Sequence, residues 1–168
     1  MDLIIEKAKP ADAAEMLAYL KQIGGETDNL TFGSEGLPFT VEQEADYFRS
    51  MENSTNSVMF LAKLDGKIVG TAGFAAPVRE RLKHRGEMNI SVSKAVWGMG
   101  IGSKLMEAVI DFARNTAHAE IIFLEVRSDN ARAIRLYEKF GFEKTGVARG
   151  IMKINGQFID SDLMSLYL

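Results

Sequence analysis

The 168-residue sequence predicts one α/β domain built on a mixed, mostly antiparallel central sheet of about seven strands flanked by about four helices. Three observations lead there. Asp65-Gly66 and Asn155-Gly156 each separate β-type runs, the strongest short hairpin signal a sequence carries. Segments 10–23, 100–116 and 131–140 repeat apolar residues at helical spacing. Residues 121–126 are nearly continuously apolar, which suits a strand buried on both sides.

Leu3 and Ile5 alternate in an opening strand that stops before Pro10, a residue suited to the first position of a helix. Ala13, Met16, Leu17, Leu20 and Ile23 then share one helical face. Residues 24–39 hold four glycines and one proline with no period, and read as a long loop of the kind that is usually functional or disordered. Thr40 and Gln43 match a capping box that starts a helix running to about residue 52. Strands at 57–64 and 67–75 flank Asp65-Gly66, and a polar, basic connection at 77–86 follows. In 87–93, Met88, Ile90 and Val92 alternate with Glu87, Asn89 and Ser91. A glycine-rich turn opens helix 100–116, whose face carries Leu105, Met106, Val109, Ile110 and Ala113. Ser128-Asp129-Asn130 can cap helix 131–140, which Gly141 closes. Strands 142–154 and 157–166 complete the order βααβββαβαββ, with no repeat, low-complexity tract or linker.

Composition removes several function classes. No run approaches the 18 apolar residues a membrane helix needs. The first six residues hold early acids and no basic stretch, unlike a secretory signal. With no cysteine, disulfides, thiolate metal sites and Cys nucleophiles are out, and with only His84 and His118 no metal is expected. A cytoplasmic domain is the expectation. Residues 1–76 carry six Lys/Arg and twelve Asp/Glu, whereas 77–168 carry fourteen and eleven. Such asymmetry reports either two partners of opposite sign or merely different solvated faces. Neither a basic tail nor aromatic-interleaved basic repeats accompany it, so no nucleic-acid partner is expected.

The most informative stretch is Trp97-Gly98-Met99-Gly100-Ile101-Gly102-Ser103. Glycines at alternate positions between a strand and a helix let backbone N–H groups approach an anion, with the helix N-terminus adding partial positive charge. The plain alternative is a tight turn with no ligand. A P-loop would need Gly-Lys-Ser/Thr, but the order here is Gly102-Ser103-Lys104. A dinucleotide fingerprint would need Gly-x-Gly-x-x-Gly; Glu125, suitably downstream for a ribose, keeps an NAD(P)-dependent oxidoreductase open.

This stretch resembles the acyl-CoA motif Arg/Gln-x-x-Gly-x-Gly/Ala of the GNAT superfamily of N-acetyltransferases, with Trp97 in place of the Arg/Gln. Asn130-Ala131-Arg132-Ala133-Ile134-Arg135-Leu136-Tyr137-Glu138-Lys139-Phe140-Gly141-Phe142 looks like that family's Asn-x-x-Ala-x-x-Leu-Tyr-x-x-x-Gly-Phe segment. The resemblance implies acetyl-CoA as co-substrate and a mixed sheet of the GNAT type. It implies that main-chain groups of Ile90, Ser91 and Val92 hold the pantetheine arm, and that Gly98, Met99, Gly100, Ile101, Gly102 and Ser103 hold the pyrophosphate. Asn130 and Ala133 would lie at the pantetheine or phosphates, and Tyr137 would assist departure of the CoA thiolate. Tyr137 also belongs to an ordinary apolar helix face with Ala133, Ile134, Leu136 and Phe140.

Attack on a thioester needs a neutral amine, so a base or a water relay must take a proton. Glu87 sits where several family members place a catalytic Glu, and apolar neighbouring strands would raise its pKa. The alternative is a carboxylate paired with Arg79, Arg81, Lys83 or Arg85. In loop 24–39, Glu26, Asp28 and Glu35 are the candidates for attracting a cationic amine, small-molecule or peptide, against the alternative of a solvated loop. A non-catalytic acyl-CoA-binding module and a homodimer through the C-terminal hairpin both stay open.

Overall fold

The computed structural model describes all 168 residues. The strands are β1 Leu3–Lys7, β2 Ser57–Leu64, β3 Lys67–Ala75, β4 Arg85–Val92, β5 Ile121–Arg127, β6 Glu143–Ile154 and β7 Gln157–Tyr167. The helices are α1 Ala13–Glu26, α2 Val41–Met51, α3 Ile101–Asn115 and α4 Ala131–Lys139. One seven-stranded sheet has the order β1-β2-β3-β4-β5-β7-β6. Every neighbouring pair is antiparallel except β4–β5.

The turns follow their residues. Asp65 and Gly66 have φ of 49° and 83°, and Asn155 and Gly156 have 50° and 78°, so each two-residue loop places both central residues at positive φ as a twisted hairpin requires. At the start of α2, the Thr40 hydroxyl accepts from the Gln43 N–H at 3.1 Å, and the Gln43 side-chain oxygen accepts from the Thr40 N–H at 2.9 Å.

Two apolar cores sandwich the sheet. α3 lays Leu105, Met106, Val109 and Phe112 against Ala72, Phe74, Met88, Ile122 and Leu124, in the core that also holds Tyr137. Each large side chain buried there contributes about 2 kcal/mol of transfer free energy. α1 and α2 close the other face with Met16, Leu20, Ile23 and Phe48 over Met59 and Leu61.

Two boundaries and one burial pattern differ from the sequence expectation, and contacts distant in sequence accompany each. The first helix begins as a 3-10 turn at Pro10–Asp12 and then runs to Glu26, through Gly24 and Gly25. A Cβ on Gly24 would lie 1.9 Å from the Gly33 carbonyl oxygen, so glycine serves loop packing there rather than ending the helix. β4 starts at Arg85, inside the expected basic connection; a Cβ on Gly86 would meet the Phe74 ring at 2.2 Å. β5 is fully buried only at Ile122, Leu124 and Val126, while Phe123 on its other face lies under the Arg85 guanidinium at 4.2 Å.

Candidate active site

The parallel strands β4 and β5 pair at three positions only: Arg85 with Ile121, Gly86 with Ile122, and Glu87 with Phe123. Beyond Glu87 they diverge, although β4 runs on to Val92 and β5 to Arg127. β4 stays bonded to β3 through Val92, which leaves residues 88–92 with no strand on the β5 side. A cavity of about 1340 Å³ opens at this divergence, and residues 87–92 all line it. Register puts Glu87, Asn89 and Ser91 on the α1/α2 face of the sheet, in rows with Ala75, Gly73 and Thr71. Ser91 spends its hydroxyl on Tyr19 and Thr71, at 3.0 and 3.1 Å, so its free groups are main-chain ones.

The glycine turn closes one end. Gly98 and Gly100 have φ of 83° and 78°, and a Cβ on either would meet nothing within 4 Å. Backbone conformation, not space, therefore demands glycine there. α3 begins without a side-chain cap, and Lys104 N–H is the first to bond back, to the Gly100 carbonyl at 3.2 Å. The N–H groups of Ile101, Gly102 and Ser103 thus lack protein acceptors at the positive end of a helix, which is the chemistry a diphosphate needs. Gly98, Gly100, Ile101, Gly102 and Ser103 line the cavity; Met99, exposed on the turn, does not.

Asn130, Ala133 and Tyr137 line the cavity from α4. Asn130 caps that helix, its side-chain oxygen accepting from the Ala133 N–H at 3.3 Å. Tyr137 is 6% exposed, packs its ring 5.9 Å from Phe142, and makes no hydrogen bond within the protein. Burial pushes its phenol well above the ordinary value, so it is protonated. Glu87 lines the cavity but is exposed rather than enclosed by apolar strands, and it makes no ion pair with the neighbouring basic residues. Lys83 pairs with Glu80 instead, at 2.8 Å.

The three acidic candidates near the N-terminal loop separate. Glu26 lines the cavity with both oxygens engaged, by the Lys94 N–H at 2.9 Å and the Gln22 side chain at 2.8 Å. Asp28 and Glu35 are exposed and lie off the cavity. Glu35 folds back on the Gly33 N–H at 2.9 Å, a bond that holds its carboxyl below the usual range. No three of the His, Asp and Glu side chains cluster as a metal ion would require.

The sequence profile of the Acetyltransferase (GNAT) family matches residues 29–142, more than half of the chain and all of the cavity's β4, α3 and α4 walls. The chain belongs to this family. Among curated relatives, it is 32% identical over 105 residues to the L-amino acid N-acetyltransferase AaaT of Escherichia coli K12, covering 62% of this chain and 65% of that protein. It is 35% identical over 95 residues to the N-alpha-acetyltransferase RimI of Mycobacterium tuberculosis, covering 56% and 58%. The match thus spans less than two thirds of either relative's length. A GNAT-family acetyltransferase from Streptococcus pneumoniae superposes with a TM-score of 0.95 at 34% identity, over 99% of this chain and all of that one. The structure of yncA from Salmonella typhimurium, solved with its cofactor acetyl-CoA, shares the fold with a TM-score of 0.84 at 22% identity, over 99% and 94%.

Membership in the GNAT family retires the dinucleotide reading. β4, α3 and β5 do form a parallel crossover, but theirs is the single parallel pair in the sheet, and no doubly wound half is built on it.

Two cavity residues escaped the sequence reading. The Arg132 guanidinium stacks 4.1 Å from the Trp97 ring, whose N–H donates to the Val92 carbonyl at 2.8 Å. The position that departs from the GNAT motif therefore seats a cation beside the turn. Glu44 on α2 also lines the cavity, at 4% exposure. Its signal was present: it sits one turn before Phe48 and two before Met51, on the buried stripe of α2.

Proposed function

We propose that this GNAT chain transfers an acetyl group from acetyl-CoA to a primary amine by direct attack in a ternary complex. The observation that carries the reading is the gap between β4 and β5, open to main-chain groups of 88–92 on one side and ending at uncapped amides. When bound, acetyl-CoA supplies an activated thioester carbonyl. Residues 88–92 bond the pantetheine amides as a further strand would. The N–H groups of Ile101, Gly102 and Ser103 hold the pyrophosphate, with Arg132 supplying charge and Asn130 its free amide N–H groups.

Tyr137 keeps its proton and donates a hydrogen bond to the departing sulfur. A thiol ionises near 8.5 and a phenol near 10, so a hydrogen bond suffices and no full transfer is needed. Glu87, or a water relay ending on it, takes the proton of the incoming ammonium on the α1/α2 side of the gap. With no cysteine in the chain, no thioester to the protein forms on the path. The acceptor is a small-molecule or peptide amine, and exposed Val147, Ile151 and Phe158 on the C-terminal hairpin favour a homodimer.

A thiol-release assay with acetyl-CoA across a panel of primary amines tests the reading. Amine-dependent release supports it. Acetyl-CoA binding without release for any amine would leave a non-catalytic acyl-CoA-binding module instead.

A further inference from the structure

Within the cavity, charge is divided by element. Its basic side chains are Arg132 and Arg135, both on α4. Its carboxylates are Glu26 on α1, Glu44 on α2, Glu87 on β4 and Glu125 on β5. Glu26 is engaged by the Lys94 N–H and Gln22. Glu87 and Glu125 are exposed on the sheet.

Glu44 is different: the residue is 4% exposed, and its side chain makes no hydrogen bond or ion pair with any protein group. Burial alone moves its carboxyl, upward, with no neighbouring donor or cation to offset it. Its place in the first turn of α2 gives partial relief from the helix dipole, but Glu42 obtains the same benefit while exposed. Its carboxylate oxygens are not sealed in the core but open to the cavity, an acid held in a mostly buried wall with its hydrogen-bonding capacity free for a ligand. The loop at 27–40 and α2 bring Phe32, Leu37, Phe39 and Tyr47 to this side of the cavity, beside the polar Asn29, Thr31 and Gln43. Phe39 and Tyr47 are each 49% exposed, large apolar surfaces left open where the cavity meets solvent.

We infer that Glu44 is the group that binds the acceptor's ammonium, and that the acceptor is a primary amine with an apolar or aromatic body and no free carboxylate beside the amine. The second half follows from the charge division. An α-amino acid brings a carboxylate that a cation holds best. On the α1/α2 side no cation lines the cavity; Asn29, Thr31, Gln43, Tyr47 and Asn89 offer neutral donors only, and Glu44, Glu87 and Glu125 repel a carboxylate, while both cavity arginines are on α4, with Arg132 stacked on Trp97 beside the glycine turn. The inference rests on the transfer reading for the word acceptor, and on the cavity alone for the binding.

Calorimetric binding, measured with and without saturating CoA, separates the two. L-phenylalaninamide and 2-phenylethylamine are expected to bind at least about tenfold more tightly than L-phenylalanine, whose carboxylate has no cationic partner. In Glu44→Gln, amide binding is expected to weaken about tenfold while CoA affinity stays unchanged. Equal or tighter binding of L-phenylalanine by the wild-type protein overturns the inference, and that comparison needs no variant to fold. Unaltered amide binding in a folded Glu44→Gln protein, or no binding of either amine, overturns it too. Amine binding without thiol release would sink the transfer reading and leave the assignment of Glu44 standing.

Discussion

Tyr137 and Glu44 are mostly buried residues of the cavity wall whose polar atoms open to the cavity without a protein partner, and each gives a separable prediction. Tyr137→Phe removes one hydroxyl from a tightly packed ring, so fold and acetyl-CoA affinity should hold while kcat falls about a hundredfold. Unchanged kcat would remove Tyr137 from the chemistry. For Glu44 the sign is opposite to that of a stabilising carboxylate. Its folded-state pKa lies above the unfolded value, so the folded protein binds the proton more tightly, and stability declines as pH rises through that interval. Glu44→Gln should therefore raise the Tm at pH 7 and flatten the decline as pH rises above the ordinary Glu value near 4. A lower Tm at pH 7 would show that the carboxylate is already compensated. The sequence reading found Tyr137 because it stands in a motif. It passed over Glu44 because an acid is ordinarily solvated and no motif contains this one, although its place on the stripe with Phe48 and Met51 was legible.

The loop at 27–40 lines the cavity on the side proposed for the acceptor, and it is seated by α1. Gly24 lets the Gly33 carbonyl lie directly on the helix backbone, where a Cβ would be 1.9 Å from the oxygen. Gly24→Ala should lift the loop, raising acceptor KM several-fold and proteolytic nicking within 27–40, with little change in acetyl-CoA affinity. An unaltered KM would show that the loop does not form the acceptor wall. Local signals served well wherever an element is locally determined: both hairpin dipeptides, the Thr40–Gln43 cap and the amphipathic α3 are where the sequence placed them. They failed at Gly24 and Gly86, where glycine answers to a distant backbone or ring. Pattern reading cannot see such a contact.

Across the whole molecule, the charge split between chain halves proves a poor guide, because Glu87 and Glu125 bring acid to the cavity from the basic half. The grouping is by element in space, with arginines on α4 and acids on the remaining walls. Away from the site, one partly buried cluster ties the first strand and turn to β2: Lys63 donates to Glu6 and Asp12 at 2.8 and 2.7 Å. The bond from Lys63 outweighs burial in holding Glu6 below its ordinary value. For Asp12, burial raises the carboxyl, and Lys63 together with the Lys9 N–H overcomes it. Lowered carboxylates stabilise fully above the ordinary range near pH 4 and lose that contribution as pH falls through their folded values. Lys63→Met should cost about 2 kcal/mol at pH 7 by chemical denaturation and weaken the pH dependence below 4. Wild-type stability in that variant would contradict the assignment.

The proposed CoA site lies where β4 parts from β5, and amide hydrogen exchange with and without CoA reads that place directly. Slowed exchange confined chiefly to residues 88–92 and 101–103 is the predicted result. CoA binding that leaves those amides unaffected, or protects another face of the sheet, would contradict it.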